Sequence, residues 1–105
     1  MLTAPAAAAA KALNRADRTV ADIDLFEVNE AFASVVLYFM EKTKVPIDRI
    51  NVDGGAIAMG HPVGATGAVL VGTLVNEMHR RNVEHGVVTM CTGLGMGVAT
   101  VLQRV

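Results

Sequence analysis

Apolar residues recur along this chain in two rhythms, one helical and one strand-like, and the points where the rhythm changes divide it into elements. From Thr3 to about Ala16 the run APAAAAAKALNRA favours a helix, with Thr3 placed to cap it and Pro5 in its first turn. Thr19 to Asp22 reads as a short capped turn, with Asp22 placed to reach back to the cap. Ile23 to Val28 reads as a short buried strand. Phe32, Val35, Val36, Phe39 and Met40 fall at i, i+3, i+4, i+7 and i+8, which predicts a helix from Glu30 to about Thr43 with one apolar face. Lys42 and Lys44 suit the C-terminal end of its dipole, and Pro46 prevents its continuation. A short strand at Ile50–Val52 leads into a glycine-rich loop from Asn51 to Thr66. A third helix is expected from about Ala65 to Arg81, apolar on most sides through Val75 and therefore buried. Gly86–Cys91 and Val98–Arg104 read as strands joined by a glycine-rich hairpin turn. The order is α, β, α, loop, α, β, β, an α/β fold with a mixed sheet, and neither a repeat nor a linker interrupts it.

Composition narrows the function classes. A length of 105 residues bounds the chain to one small domain. The net charge is −1 and no basic stripe occurs, so nucleic acid is not an expected partner. Hydrophobic residues make up 52% of so short a chain, which predicts that part of its surface meets another domain or subunit. The single cysteine excludes an internal disulfide and fits a reducing compartment; a cytoplasmic location is the expectation. The apolar runs Ala31–Met40 and Ala68–Val75 fall short of the ~20 residues a membrane span requires, so no membrane association is expected. The Ala-rich start has no early positive charge and carries Pro5, which argues against a signal peptide.

Three places carry chemistry. The stretch NVDGGAIAMGHPVGATG, residues 51–67, holds five glycines, one His and one Pro. Glycines at that density allow close backbone approach to a ligand, while Gly60 and Pro62 on either side narrow the orientations open to His61. Cys91 ends an apolar strand and opens CTGLGMG, which presents a thiol at the sheet edge. Asn29, in EVNEAFA, stands where a strand gives way to a helix. Blander readings stand beside each. A lone cysteine in an apolar strand is ordinarily an inert buried thiol. Asn29 also suits the cap of a helix starting at Glu30. His79 and His85 read as solvent-exposed.

Other chemistries fit less well. GLGMG at 93–97 precedes a strand, whereas a dinucleotide fingerprint opens a helix. The 51–67 loop lacks the Gly-Lys-Ser/Thr of a phosphate-binding loop. Cys91 and three scattered histidines have no metal-ligand spacing. A hydrolase built on Cys91 and His61 would lack a helix N-terminus to activate the thiol.

NEAF at 29–32, GHPVGATG at 60–67 and CTGLGMG at 91–97 resemble, in order and spacing, the C-terminal domain of thiolases, from about Pro5 to Val105. Thiolases are acyl-CoA acyltransferases. The resemblance implies acyl-CoA and CoA as partners, with coenzyme A a substrate and no bound cofactor. It is nearest to the 3-ketoacyl-CoA thiolases of fatty-acid β-oxidation, which cleave or form 3-oxoacyl-CoA through a cysteine acyl-enzyme. By motif match His61 corresponds to the histidine that assists the nucleophile and donates to an oxyanion. Cys91 corresponds to the acid/base cysteine, Asn29 to the asparagine that holds an oxyanion-hole water, and Gly93 to a backbone N–H of the second oxyanion hole. The nucleophilic cysteine has no counterpart here, so the chain is expected to carry half an active site and no turnover of its own. The resemblance further implies that the family's first strand, central in its sheet, precedes this chain. A gap is then expected between Ile23–Val28 and Gly86–Cys91, its unpaired edges filled by a second copy in a homo-oligomer, by closure of the chain's own strands on each other, or by the N-terminal thiolase half, with the second copy the expected outcome. The alternatives are a non-catalytic fragment or interaction module, and a lipid-carrying thiolase homologue.

Overall fold

Three strands set the frame. The computed structural model describes residues 2–105. Its sheet runs in the order β1-β2-β3, from Leu25–Val28 (β1), His85–Thr92 (β2) and Met96–Gln103 (β3). β1 and β2 are parallel, with Leu25 opposite Gly86 and Val28 opposite Thr89. β2 and β3 form an antiparallel hairpin, with Cys91 opposite Gly97. All four residues of β1 are buried, as a strand covered on both faces requires.

The helices are α1 (Ala4–Arg15), α2 (Ala33–Thr43), α3 (Ala56–Met59) and α4 (Thr66–Arg80). One sheet face packs Phe26, Val28 and Val87 against Ala9 and Leu13 of α1 and Val35, Val36 and Phe39 of α2. The Phe26 and Phe39 rings meet at a centroid distance of 5.8 Å with their planes tilted by 59°. On the other face Leu25 and Val88 pack against Leu70, Leu74 and Met78 of α4. Burial of each such side chain contributes about 1.5–3 kcal/mol. Gly86 sits where α4 presses closest: a Cβ there would lie 2.8 Å from a Leu74 methyl and 2.9 Å from the Met78 sulfur.

The anticipated gap in the sheet is closed. β1 pairs directly with β2, so the two inner edges that were to stand open are hydrogen-bonded to each other. The outer edge of β1 is partly covered as well. Phe26 bridges to Ile50, the Asn51 N–H donates to the Phe26 carbonyl at 2.9 Å, and the Asn51 side chain spans the Val28 peptide groups. The chain's own strands thus fill the gap, rather than the second copy that was expected there.

Several elements depart from the sequence reading. α2 begins at Ala33, not Glu30, because Asn29 still follows the sheet and Glu30 is engaged elsewhere; Phe32, expected on the buried face, is 55% exposed. α4 is one-sided: Val69, Val71 and Val75 are exposed because only the sheet covers this helix. Ile50–Val52 makes a single bridge instead of a strand, since Asn51 turns the backbone at φ 48°. The loop contains the one-turn helix α3. His85 is largely buried, contrary to the expected exposure, while His79 is exposed.

Candidate active site

Asn29 leaves the C-terminal end of β1 with its backbone N–H donating to the Thr89 carbonyl at 3.0 Å. That bond holds it level with Met90, one residue before Cys91, on the carboxyl edge of two parallel strands. Ligands of open α/β sheets bind at that edge. Asn29 is fully buried, yet neither its amide oxygen nor its amide nitrogen has a protein partner. It caps no helix, because α2 starts four residues later. The side chain instead lines a cavity of about 100 Å³ shared with Glu27, Gly55, Met59, Gly60 and Thr66. A buried amide without a partner costs about 1–3 kcal/mol, so its place at this cavity asks for a reason beyond packing.

The glycine loop forms the cavity's other wall. Gly60 ends α3 at φ 94°, a conformation open to glycine, and so turns the chain into His61 and Pro62. The His61 ring is exposed, but its Nδ1 lies 2.6 Å from the Thr66 hydroxyl at the start of α4. Thr66 is buried and its hydroxyl also lies 3.1 Å from the Pro62 carbonyl. A hydroxyl donating to Nδ1 leaves Nε2 protonated and available as a donor; one donating to Pro62 accepts a hydrogen bond from Nδ1–H.

Glu30 secures the loop from beneath. Its carboxylate accepts from the Ile57 N–H at 2.9 Å and from the Asn51 amide at 3.2 Å. Gly55 makes room for it, since a Cβ there would collide with the carboxylate.

Cys91 is half-buried near the end of β2 and forms no disulfide. Gly93 follows in the turn Gly93–Gly95, with Leu94 at φ 67° and 99% exposed. Alternation along β2 places Cys91 with Val87 and Thr89 on the α1 face, where the Thr89 hydroxyl donates to the Pro5 carbonyl. Asn29 and the loop lie on the α4 face. The fold therefore joins Asn29 with the His61 loop and sets Cys91 at the same edge but on the opposite face, with Gly93 in the turn beyond it. Among the described residues no hydrogen bond links His61 to Cys91 or to Asn29.

The electrostatics centre on a residue the sequence reading passed over. Glu27 is 2% exposed and alternates with Asn29 onto the α4 face. Burial, reinforced by Asp53, Glu30 and Glu77, pushes its carboxyl up to about 8, so it is a neutral acid at pH 7. Glu77 moves the opposite way, down to about 2, through hydrogen bonds from Arg80 and Arg81. The available signal for Glu27 was one acidic residue inside an otherwise apolar strand. Asn51 and Thr66 gave less, because their roles depend on partners distant in sequence or across a turn.

The family model described as "Thiolase, C-terminal domain" matches residues 1–104. The chain is 55% identical over 100 residues to the peroxisomal 3-ketoacyl-CoA thiolase B of Rattus norvegicus, covering 94% of the chain and 24% of the relative. It is 52% identical over 103 residues to the 3-ketoacyl-CoA thiolase of Colwellia psychrerythraea, covering 96% and 27%. The peroxisomal 3-ketoacyl-CoA thiolase of Homo sapiens is 52% identical over 100 residues, covering 94% and 24%. The chain thus spans about a quarter of the length of these relatives. With its motifs in order and the match running almost from end to end, the chain belongs to the thiolase C-terminal domain family.

Proposed function

We propose that the chain is the C-terminal part of an acyl-CoA C-acyltransferase of the 3-ketoacyl-CoA thiolase kind, acting on 3-oxoacyl-CoA and CoA. The observation that carries this reading is the buried, unpartnered Asn29 amide in the cavity walled by the His61 loop. On this reading Asn29 holds the water that, with His61 Nε2–H, stabilises the thioester oxyanion. The Thr66 hydroxyl then donates to Nδ1 and fixes that tautomer. Cys91 moves the proton to and from the second thiol or carbon, and the Gly93 N–H serves the second oxyanion.

The reaction needs a nucleophilic cysteine besides Cys91, the one thiol of this chain. A matching N-terminal half supplies it, together with a strand that enters between β1 and β2 and replaces their direct pairing.

The test is thiolysis of acetoacetyl-CoA by the chain alone, by the N-terminal half alone, and by the two together. Turnover only in the mixture is the expected result. Turnover by the chain alone, or none by a folded mixture, overturns the reading.

A further inference from the structure

Glu27 on β1 and Asn29 just past its end are separated by one residue, share the α4 face, and both line the cavity of about 100 Å³. Both polar atoms of Asn29 are buried without a partner, and the Glu27 carboxyl lies beside them on the same cavity. Two buried polar groups at one small cavity are commonly satisfied by ordered water, and this volume accommodates a few molecules. We propose that Glu27 is a positioning residue for Asn29: its carboxylic acid and the Asn29 amide share water in this cavity, and the acid proton sets which way the amide faces.

The directions follow from hydrogen-bond inventories. A neutral carboxyl has an O–H to donate, whereas a carboxylate only accepts. Donation through water draws the Asn29 amide oxygen toward Glu27 and leaves the NH₂ group for the reaction edge. Ionised Glu27 would draw the NH₂ group and reverse the amide. The surroundings favour the neutral form. Glu30 after β1, Asp53 in the turn before α3, and Glu77 on α4 bring negative charge near it, the last already paired with Arg80 and Arg81. From β2 the opposing residue is the uncharged Val88. The assignment of Asn29 to an oxyanion water rests on the thiolase reading; its coupling to Glu27 does not.

The experiment follows the Asn29 side-chain NH₂ resonances and the Glu27 carboxyl carbon by NMR in the same isotope-labelled chain, from about pH 6 to about pH 10, with Glu27→Gln as the second sample. The Asn29 resonances are expected to move with the midpoint of the Glu27 carboxyl, and Glu27→Gln to abolish the movement. The second sample separates the Glu27 titration from any other change across that range. Resonances that stay still while Glu27 titrates, or that move unchanged in Glu27→Gln, overturn the proposal. If Glu27→Gln fails to fold, agreement or disagreement of the two wild-type midpoints decides alone. No turnover is required, so a failed thiolysis assay counts against the functional reading and leaves this one standing.

Discussion

Replacing Glu27 with Gln should make the chain more stable at alkaline pH and change it little at acid pH. Glu27 is 2% exposed, and its carboxyl rises from the ordinary 4.5 to about 8 on folding. Above 4.5 the unfolded chain releases this proton while the folded chain keeps it. The native state therefore binds more protons, and stability falls as pH rises until the folded carboxyl ionises near 8. Each pH decade inside that window costs about 1.4 kcal/mol, so moving from about pH 5.5 to about pH 8.5 takes away up to about 3 kcal/mol. Water reaching the adjacent cavity screens part of this, and about 2 kcal/mol is the expected figure. The amide keeps the shape and cannot ionise. Urea unfolding of both chains at the two pH values, with m held common, gives the double difference, in which the other titrating groups cancel. A stability difference between the Glu27→Gln variant and the wild-type chain that is the same at both pH values would refute the burial of a neutral acid.

The remaining predictions concern the loop, the thiol and the packing of α4. In the assembled enzyme His61→Ala should lower kcat by about 10²–10³, as expected for loss of an oxyanion donor, and Asn29→Ala should cost less because water partly replaces the amide; steady-state thiolysis measures both. Cys91→Ser should be severe, since a hydroxyl is a far weaker acid than a thiol, and near-wild-type kcat would remove the acid/base role. Thr66→Val removes the hydroxyl beside His61 Nδ1 and should lower kcat about tenfold while KM stays close to wild type; unchanged kcat would show that the ring is oriented by Gly60 and Pro62 alone. Gly86→Ala places a methyl against Leu74 and Met78 and should destabilise the chain by about 1–3 kcal/mol in urea unfolding.

Local chemistry made much of this protein legible in its sequence. The helix of α1, the capped turn at Thr19 (whose N–H donates to Asp22 at 2.7 Å) and the β2–β3 hairpin follow from propensity and spacing. The thiolase motifs were equally legible, because NEAF, GHPVGATG and CTGLGMG keep their residues close together in the chain. Tertiary structure decided what depends on partners far apart. Only the folded register shows that β1 pairs with β2, since strand pairing is satisfied by whichever edge is near and sequence does not name the neighbour. The start of α2 moved because Glu30 reaches the Asn51 and Ile57 groups more than twenty residues away, a bond no helical period can reveal. Alternation alone put Glu27 and Asn29 on one face. Their chemistry came from what α4 and the glycine loop placed over that face: a small cavity beside which burial favours the protonated carboxyl and an amide has no protein partner.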